Sequence, residues 1–409
     1  MKFSELRLTI RSFLDKKHYF FITYFFFLLG FFVVPSIHWH NNFFYGLILF
    51  PYLATLQLKR IQLISRSNLW ILSMIFAIYM CLTLLWGENV VFKDYVYYLR
   101  RPVYLFVFLS LTIDLVLRYP KFIDCLFIFF CWVAAITAIV TVFWFYSSSP
   151  FPQSRLSFLG GQLRNPISAA AVYGTVAIVC FFHTRKTQES YAWIYTGLCV
   201  VLLFAVALTR SRGPLIALVI TFLIGAVLAR NKKLLAVVLC VMIVGGLMFF
   251  YIEGFKALFM RPLGVFYRLE AWKLTLERLK DALIFGEGIS TENTFIMADG
   301  QKLYHSHSVY LGTALHGGLI GLFLLLIIQV STLWEGFLYF LRESDFTYVA
   351  LLLFSLICIT TMNYSLMNHP NVLWINFWLP LALLAAKKLS SDKAVNSFYQ
   401  NLYQTKPKA

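Results

Sequence analysis

Apolar residues run through this sequence in long blocks. Blocks near 19–36, 42–57, 69–87, 97–117, 122–146, 167–182, 191–208, 214–229, 234–252, 309–330, 346–362 and 371–386 carry few charges. A run of about 20 apolar residues satisfies its own backbone as a helix and spans a bilayer. The alternation that a membrane barrel needs is missing. The pattern predicts an all-α polytopic membrane protein with about 12 transmembrane helices. The second, eighth and last are short. Residues 253–308 are too long for a turn and too short for an independent domain. The expected organisation is therefore helices one to nine in 1–252, one large loop in 253–308, helices ten to twelve in 309–386, and a tail in 387–409.

Basic residues orient the helices, because Lys and Arg concentrate in cytoplasmic connections. Lys2, Arg7, Arg11, Lys16 and Lys17 precede the first block, which itself continues too long for a cleavable signal. Every second connection is basic: Lys59, Arg60 and Arg66, then Arg118 and Lys121, Arg185 and Lys186, Arg230 with Lys232 and Lys233, and Arg342. Lys387, Lys388 and Lys393 follow the last block. With twelve spans all of these share one side. Both termini are then cytoplasmic, and the 253–308 loop faces outward.

Composition agrees. The 409 residues are 60% hydrophobic and 13% charged, where a soluble domain carries about a quarter charged residues. Lipid is thus the expected surrounding. Much of the net charge of +17 is flanking charge of this kind, so no nucleic-acid partner is expected. Cys81, Cys125, Cys131, Cys180, Cys199, Cys240 and Cys358 all fall inside apolar blocks. They read as small buried side chains.

The outward loops break the charge rule in a few places. Arg155 and Arg164 lie near 147–166, Arg210 and Arg212 in the turn at 209–213, and Arg100 and Arg101 at the outer end of the fourth block. The large loop adds Lys256, Arg261, Arg268, Lys273, Arg278, Lys280 and Lys302. An anionic ligand would give such residues a role; an anionic lipid surface is the plainer alternative. Within the loop, Leu269, Trp272, Leu276, Leu279 and Leu283 recur at helical spacing opposite Glu270, Lys273, Glu277 and Lys280. That pattern predicts an amphipathic helix lying at the interface or over the bundle. Gly286 and Gly288 then turn the chain.

His305 and His307 stand where the loop meets the tenth block. They could be interfacial polar residues, metal ligands or a general base. No D-x-D pair, cysteine cluster or H-E-x-x-H pattern accompanies them, so no metal and no cofactor is expected. An imidazole accepts a proton near neutral pH. Arginine forks stabilise a departing diphosphate without a metal ion. The combination suits transfer of a group from a lipid diphosphate.

These motifs resemble the bacterial O-antigen ligase and O-antigen polymerase superfamily. The likeness covers most of the chain in hydropathy. Arg164-Asn165-Pro166 resembles the family's Asn-Pro at the start of a span, and Thr209-Arg210-Ser211-Arg212-Gly213 its Thr-x-Ser/Thr-Arg-Gly turn. Arg268 to Trp272 resembles the start of its loop helix, and Gly286-Glu287-Gly288 its glycine turn. His307 to Leu311, followed by Gly317 to Gly321, resembles its His-Asn-x-x-Leu and later Gly-Leu-x-Gly. Ser308 stands where the family commonly has Asn, so His305 stays a candidate beside His307.

The resemblance implies a GT-C-like bundle in the bacterial inner membrane with a periplasmic active site. It implies metal-independent, inverting transfer of O-antigen polysaccharide from undecaprenyl diphosphate to lipid A–core. It places catalysis on His307, Arg212 and Arg268. Arg210, Arg164, Arg100, Arg101 and His305 become candidate contacts to the diphosphate or to core phosphates. Ligase and polymerase share the motifs, and the basic balance with a single late loop leans toward ligase. The family's protein-glycosylating branch usually carries an extra C-terminal soluble region, and only a short stretch follows the last block here. A transporter or flippase is the rival from another class. Against it stand the lack of paired halves and the few charges inside the blocks.

Overall fold

The computed structural model describes residues 18–403, except 89, 152, 185–188, 229, 231–234, 236–238, 240–242, 244–261, 298–299 and 363–364. The described chain is helical nearly throughout. Its helices are α1 (Tyr19–Val33), α2 (Ile37–Ala54), α3 (Leu58–Ile64), α4 (Asn68–Leu82), α5 (Phe92–Arg118), α6 (Phe122–Tyr146) and α7 (Pro166–Thr184). There follow α8 (Glu189–Leu208), α9 (Arg212–Leu228), α10 (Pro262–Leu279), α11 (Val309–Glu343), α12 (Thr347–Ile359), α13 (Leu379–Leu389) and α14 (Lys393–Tyr403). One two-residue hairpin, β1 (Phe295–Ile296) with β2 (Lys302–Leu303), sits in the large loop.

Among the described residues four helices are long and apolar enough to cross a membrane: Asn68–Leu85, Phe122–Tyr146, Pro166–His183 and Val309–Glu343. A fifth arises if α2 and α3, bent by 104°, form one broken span. Shorter apolar helices cover Tyr19–Val33, Ala192–Leu208, Arg212–Leu228 and Thr347–Ile359, the block at 97–117 lies in the 27-residue α5, and most of the block at 234–252 lies outside the described residues. The second block is broken because α2 loosens into a π turn at Tyr45–Leu49 before bending. The tenth runs on to Glu343, with a kink at Gly318.

Outward faces are as apolar as inward ones. Ile71, Ile75, Ile78 and Leu82 are exposed along α4, as are Ile136, Ile139, Val140 and Phe143 along α6. That two-sided character marks a bundle solvated by lipid. The innermost element is the segment from Asn371 through α13, where every residue to Ala386 is buried, including Trp374 and Trp378. The last block, one of the three short ones, is thus fully enclosed by its neighbours.

The two ends of the bundle differ chemically. At one end lie Arg60, Asp114 and Arg66 with α14. At the other lie Arg101, the 153–164 and 209–212 segments and the large loop. α5 connects them, carrying Arg101 near its start and Asp114 near its finish.

The large loop is anchored by backbone exchange across the kink of α11. Gly318 adopts φ 62° and ψ −164°, so helical bonding stops there. Glu287 N–H then donates to Leu315 O at 2.8 Å, and Gly288 N–H to His316 O at 3.0 Å. In return Leu319 N–H donates to Leu283 O at 2.9 Å. The groups freed by the kink are satisfied by the loop, as buried backbone requires. Only glycine fits here. A Cβ on Gly286 would stand 2.4 Å from Gly318 N, and one on Gly288 2.8 Å from Thr83 O, with φ at 73° and 95°. Arg278 completes the anchor by ion-pairing with Glu287 and reaching the Glu292 and Thr294 carbonyls at 3.3 Å.

α10 is amphipathic, with its faces assigned by neighbours. Ala271, Thr275 and Leu279 are buried. Leu269, Leu276 and Leu283 lie exposed with Phe266, Ile284 and Phe285. The apolar stripe thus faces outward, as on a helix lying in the headgroup layer. The opposite face brings Arg268 inward.

Candidate active site

The site is assembled from three short segments. The first is the turn before α9. Thr209 Oγ1 donates to Val206 O at 2.6 Å, and Ser211 Oγ donates to Pro166 O at 3.1 Å. Arg155 clamps the turn from outside, donating to Thr209 O at 2.6 Å and to Ser211 Oγ at 2.9 Å. Arg210 adopts φ 53° and donates to Gln153 O at 2.5 Å. Arg212 opens α9, while a Cβ on Gly213 would meet Thr361 Oγ1 at 2.8 Å. The alternation Thr-Arg-Ser-Arg-Gly therefore has a division of labour. Thr209, Arg210 and Ser211 build the turn, Gly213 permits close packing, and Arg212 Nη2 is buried without a protein partner.

The second segment is α10, which supplies Arg268. The third is the loop end, Tyr304 to Ser308. Ser308 caps α11 by accepting from Leu311 N–H at 3.4 Å. Serine and asparagine are both favoured at that position, so the departure from the family's Asn preserves the local structure. His307, just before the cap, has φ 53°. Such a left-handed residue is uncommon outside glycine, though histidine is among the types enriched there. His305 and His307 place their rings edge to face with centroids 4.0 Å apart.

Electrostatics links these segments. Burial and the neighbouring Arg212 push the Arg268 guanidinium below its usual range. Burial, then His305, then Arg268 lower His307 to about 4. Burial likewise lowers His305. Arg212, Arg268, His307 and His305 therefore form one cluster. Among the described residues, neither arginine of the cluster is in an ion pair. Two cations held together without a carboxylate form a receptor for an anion. Among the described residues no three His, Cys, Asp or Glu side chains converge as metal ligands.

Arg164, Arg100 and Arg101 are not members of that cluster. Arg164 is exposed, and its carbonyl accepts from Ser157 Oγ at 2.9 Å. Beside it Asn165 Oδ1 accepts from Ile167 N–H at 2.9 Å, so the Asn-Pro motif is a helix start. Arg100 is exposed and rests on Tyr97. Arg101 is buried between Tyr97 and Tyr98, with its guanidinium 4.3 and 4.2 Å from their ring centroids, and donates to Met367 O at 2.9 Å. Lys256 and Arg261 lie outside the described residues. Sequence reasoning missed the clamp by Arg155 and the anchor by Arg278 and Glu287. Both partnerships join residues whose spacing carries no period.

Residues 197–326 match the family model described as O-antigen ligase. That segment is similar to the O-antigen ligase family. The match encloses Arg212, Arg268, His305, His307 and the glycines of the kink. The chain is also similar to an O-antigen ligase of Pseudomonas aeruginosa, with 28% identity over 373 residues, covering 88% of each chain. A relative of that kind implies an enzyme of glycosyl transfer, and the apolar helices imply a membrane protein. The ligase-family segment thus coincides with the unpaired arginines and the histidine pair, while Arg100, Arg101 and Arg164 lie outside it.

Proposed function

We propose that the protein is an O-antigen ligase of the bacterial inner membrane, with about twelve spans, cytoplasmic termini and a periplasmic site. It joins polysaccharide carried on undecaprenyl diphosphate to lipid A–core. The observation that carries this reading is the Arg212–Arg268–His307 cluster, two unpaired cations beside an imidazole that is neutral at physiological pH. Arg212 and Arg268 hold the donor diphosphate. His307 takes the proton from an acceptor hydroxyl. The acceptor oxygen forms a bond to the sugar anomeric carbon as the bond from that carbon to the phosphate oxygen breaks. The electron pair leaves with the polyprenyl diphosphate, where the arginines stabilise it. Attack opposite the leaving group inverts the anomeric centre. The bound diphosphate is an anion beside His307, so it raises that imidazole's proton affinity when the base is needed. With cationic work done by guanidinium groups, no metal is required.

Polymerase activity, with a second lipid-linked repeat as acceptor, is the nearest alternative. Deletion of the gene, followed by a gel of lipopolysaccharide, separates the two. Loss of the ligase leaves bare core while lipid-linked polymer accumulates. Core capped by a single repeat would replace the ligase reading with a polymerase, and repeats stranded on the inner leaflet would replace it with a flippase.

A further inference from the structure

Beside His305 lies a cavity of about 380 Å³, which neither Arg212 nor Arg268 lines. It is walled by α4, the start of α5, the 289–293 and 304–308 segments, the first turns of α11 and the 365–368 loop. His305 lines it and His307 does not. Four polar side-chain atoms of its wall are buried without a protein partner: Arg101 Nε, Ser290 Oγ, Asn293 Oδ1 and His305 Nδ1. Arg101 is only 6% exposed. Buried polar groups are ordinarily satisfied, and leaving one bare costs stability. Four such atoms on one wall call for a polar occupant.

Their chemistry says which kind. Arg101 Nε–H can only donate and Asn293 Oδ1 can only accept, whereas a serine hydroxyl and an imidazole nitrogen can do either. A diphosphate only accepts, and it would want several cations. A lipid chain would satisfy none of the four. Sugar hydroxyls donate and accept on neighbouring carbons, which matches the mixture. The volume suits one or two sugar units, since ligand sites commonly enclose about 300–1,000 Å³.

We propose that this cavity is the acceptor-sugar subsite, binding a polyhydroxylated sugar unit through Arg101, Ser290, Asn293 and His305. It rests on the glycosyl-transfer reading above. The cluster and the cavity then divide the substrates. The diphosphate sits on the cationic side of the histidine pair and the acceptor on the mixed-polarity side. The 4.0 Å ring contact is where they meet. His305 becomes a positioning residue that holds the acceptor hydroxyl toward His307.

The test is steady-state kinetics of the full-length protein in lipid nanodiscs. The acceptor is purified lipid A–core lacking O-antigen, and the donor is undecaprenyl-diphosphate-linked polysaccharide. Ser290→Ala and Asn293→Ala should each raise the acceptor KM about fivefold, as loss of one hydrogen bond does. The donor KM should stay within about twofold of wild type. Gly312→Ala supplies a variant that keeps every polar group. Its Cβ would lie 3.4 Å from Ser306 Oγ and 4.0 Å from Asn293 Nδ2, so it narrows the cavity at a helical position where alanine is favoured. It too should raise the acceptor KM selectively. Acceptor KM values unchanged in all three variants, with active wild type, would show that water alone fills the cavity and overturn the subsite. A rise in donor KM instead would assign the cavity to the donor. Wild-type protein that transfers nothing between these substrates would remove the functional reading itself, and the subsite with it.

Discussion

α5 runs between two ends of the bundle that treat charge in opposite ways. At the end with α14, charges are matched by carboxylates of the protein. Arg60 lies 3.9 Å from Asp114, with side chains 5% and 2% exposed, and the Tyr399 hydroxyl donates to Asp114 at 2.8 Å. Arg66 pairs with Asp392 at 3.1 Å, and Lys388 pairs with Glu335. At the other end burial and then Arg212 lower the proton affinity of Arg268, neither arginine is in an ion pair among the described residues, and burial lowers the histidines beside them. An unpaired buried charge is far more costly than a paired one. Fold stability explains the first end and cannot explain the second. The proposed diphosphate site rests on that mismatch.

The contrast is broken most strongly at the unpaired end. Arg212→Ala, Arg268→Ala and His307→Ala should each abolish measurable transfer while leaving protein levels in membranes normal. Loss of one charge-assisted contact to a developing anion costs about 3 kcal/mol, or roughly a hundredfold in rate. Arg212→Lys and Arg268→Lys keep the charge but lose the planar fork, so they should be impaired rather than inactive. Initial rates normalised to protein on immunoblots check this. Normal rates in the arginine variants would assign these residues to lipid contact.

The paired end should respond in the opposite sense. Asp114→Ala removes the buried carboxylate that lies 3.9 Å from Arg60 and accepts from Tyr399, and breaking a buried pair typically costs about 3–5 kcal/mol. Thermal stability in detergent and yield should fall, while the rate per folded molecule stays near wild type. Equal loss of rate at both ends would erase the distinction.

Between these lies the glycine anchor. Gly286→Ala forces a Cβ against Gly318 N and into a left-handed conformation, at about 1–3 kcal/mol of strain. The loop that carries the histidines should shift on α11, lowering both stability and transfer. Protease sensitivity of the large loop should rise in parallel.

The smallest effect is a pH shift. His307 sits at about 4 in the free site, so it is deprotonated and able to accept a proton at every pH above that. The acid limb of kcat/KM for donor should therefore fall near 4, well below an ordinary histidine. The bound diphosphate favours the imidazolium, so the acid limb of kcat, which reports the complex, should lie at higher pH. Coincident limbs would mean that no anion approaches His307.

Much of this was legible in the sequence. Apolar blocks gave the helices, because satisfying the backbone in lipid leaves few alternatives. Local motifs pointed to Arg212 and His307, which stand at the starts of α9 and α11, where capping chemistry is short range, whereas Arg268 lies inside α10 and was singled out by the family resemblance. What stayed hidden is long range. The Gly286–Gly288 turn and the Gly317–Gly318 kink are each visible, but their interlock joins segments about thirty residues apart. The tail read as a plain extension. In fact α14 buries Val395 and Tyr399 and closes on Asp114. Ser290 and Asn293 carry no motif at all, and only the cavity gives them a role.

The central claim is that the arginines bind the diphosphate while His307 acts on the acceptor. Equilibrium binding of undecaprenyl diphosphate to the full-length protein in nanodiscs tests it directly, without the acceptor present. Wild type and His307→Ala should bind with affinities within about threefold of each other, since removing a neutral imidazole leaves the cations in place. Arg212→Ala and Arg268→Ala should each bind at least about tenfold more weakly, as loss of a charge-assisted hydrogen bond of about 1.5–3 kcal/mol requires. Arginine variants that bind the diphosphate as tightly as wild type would contradict the account.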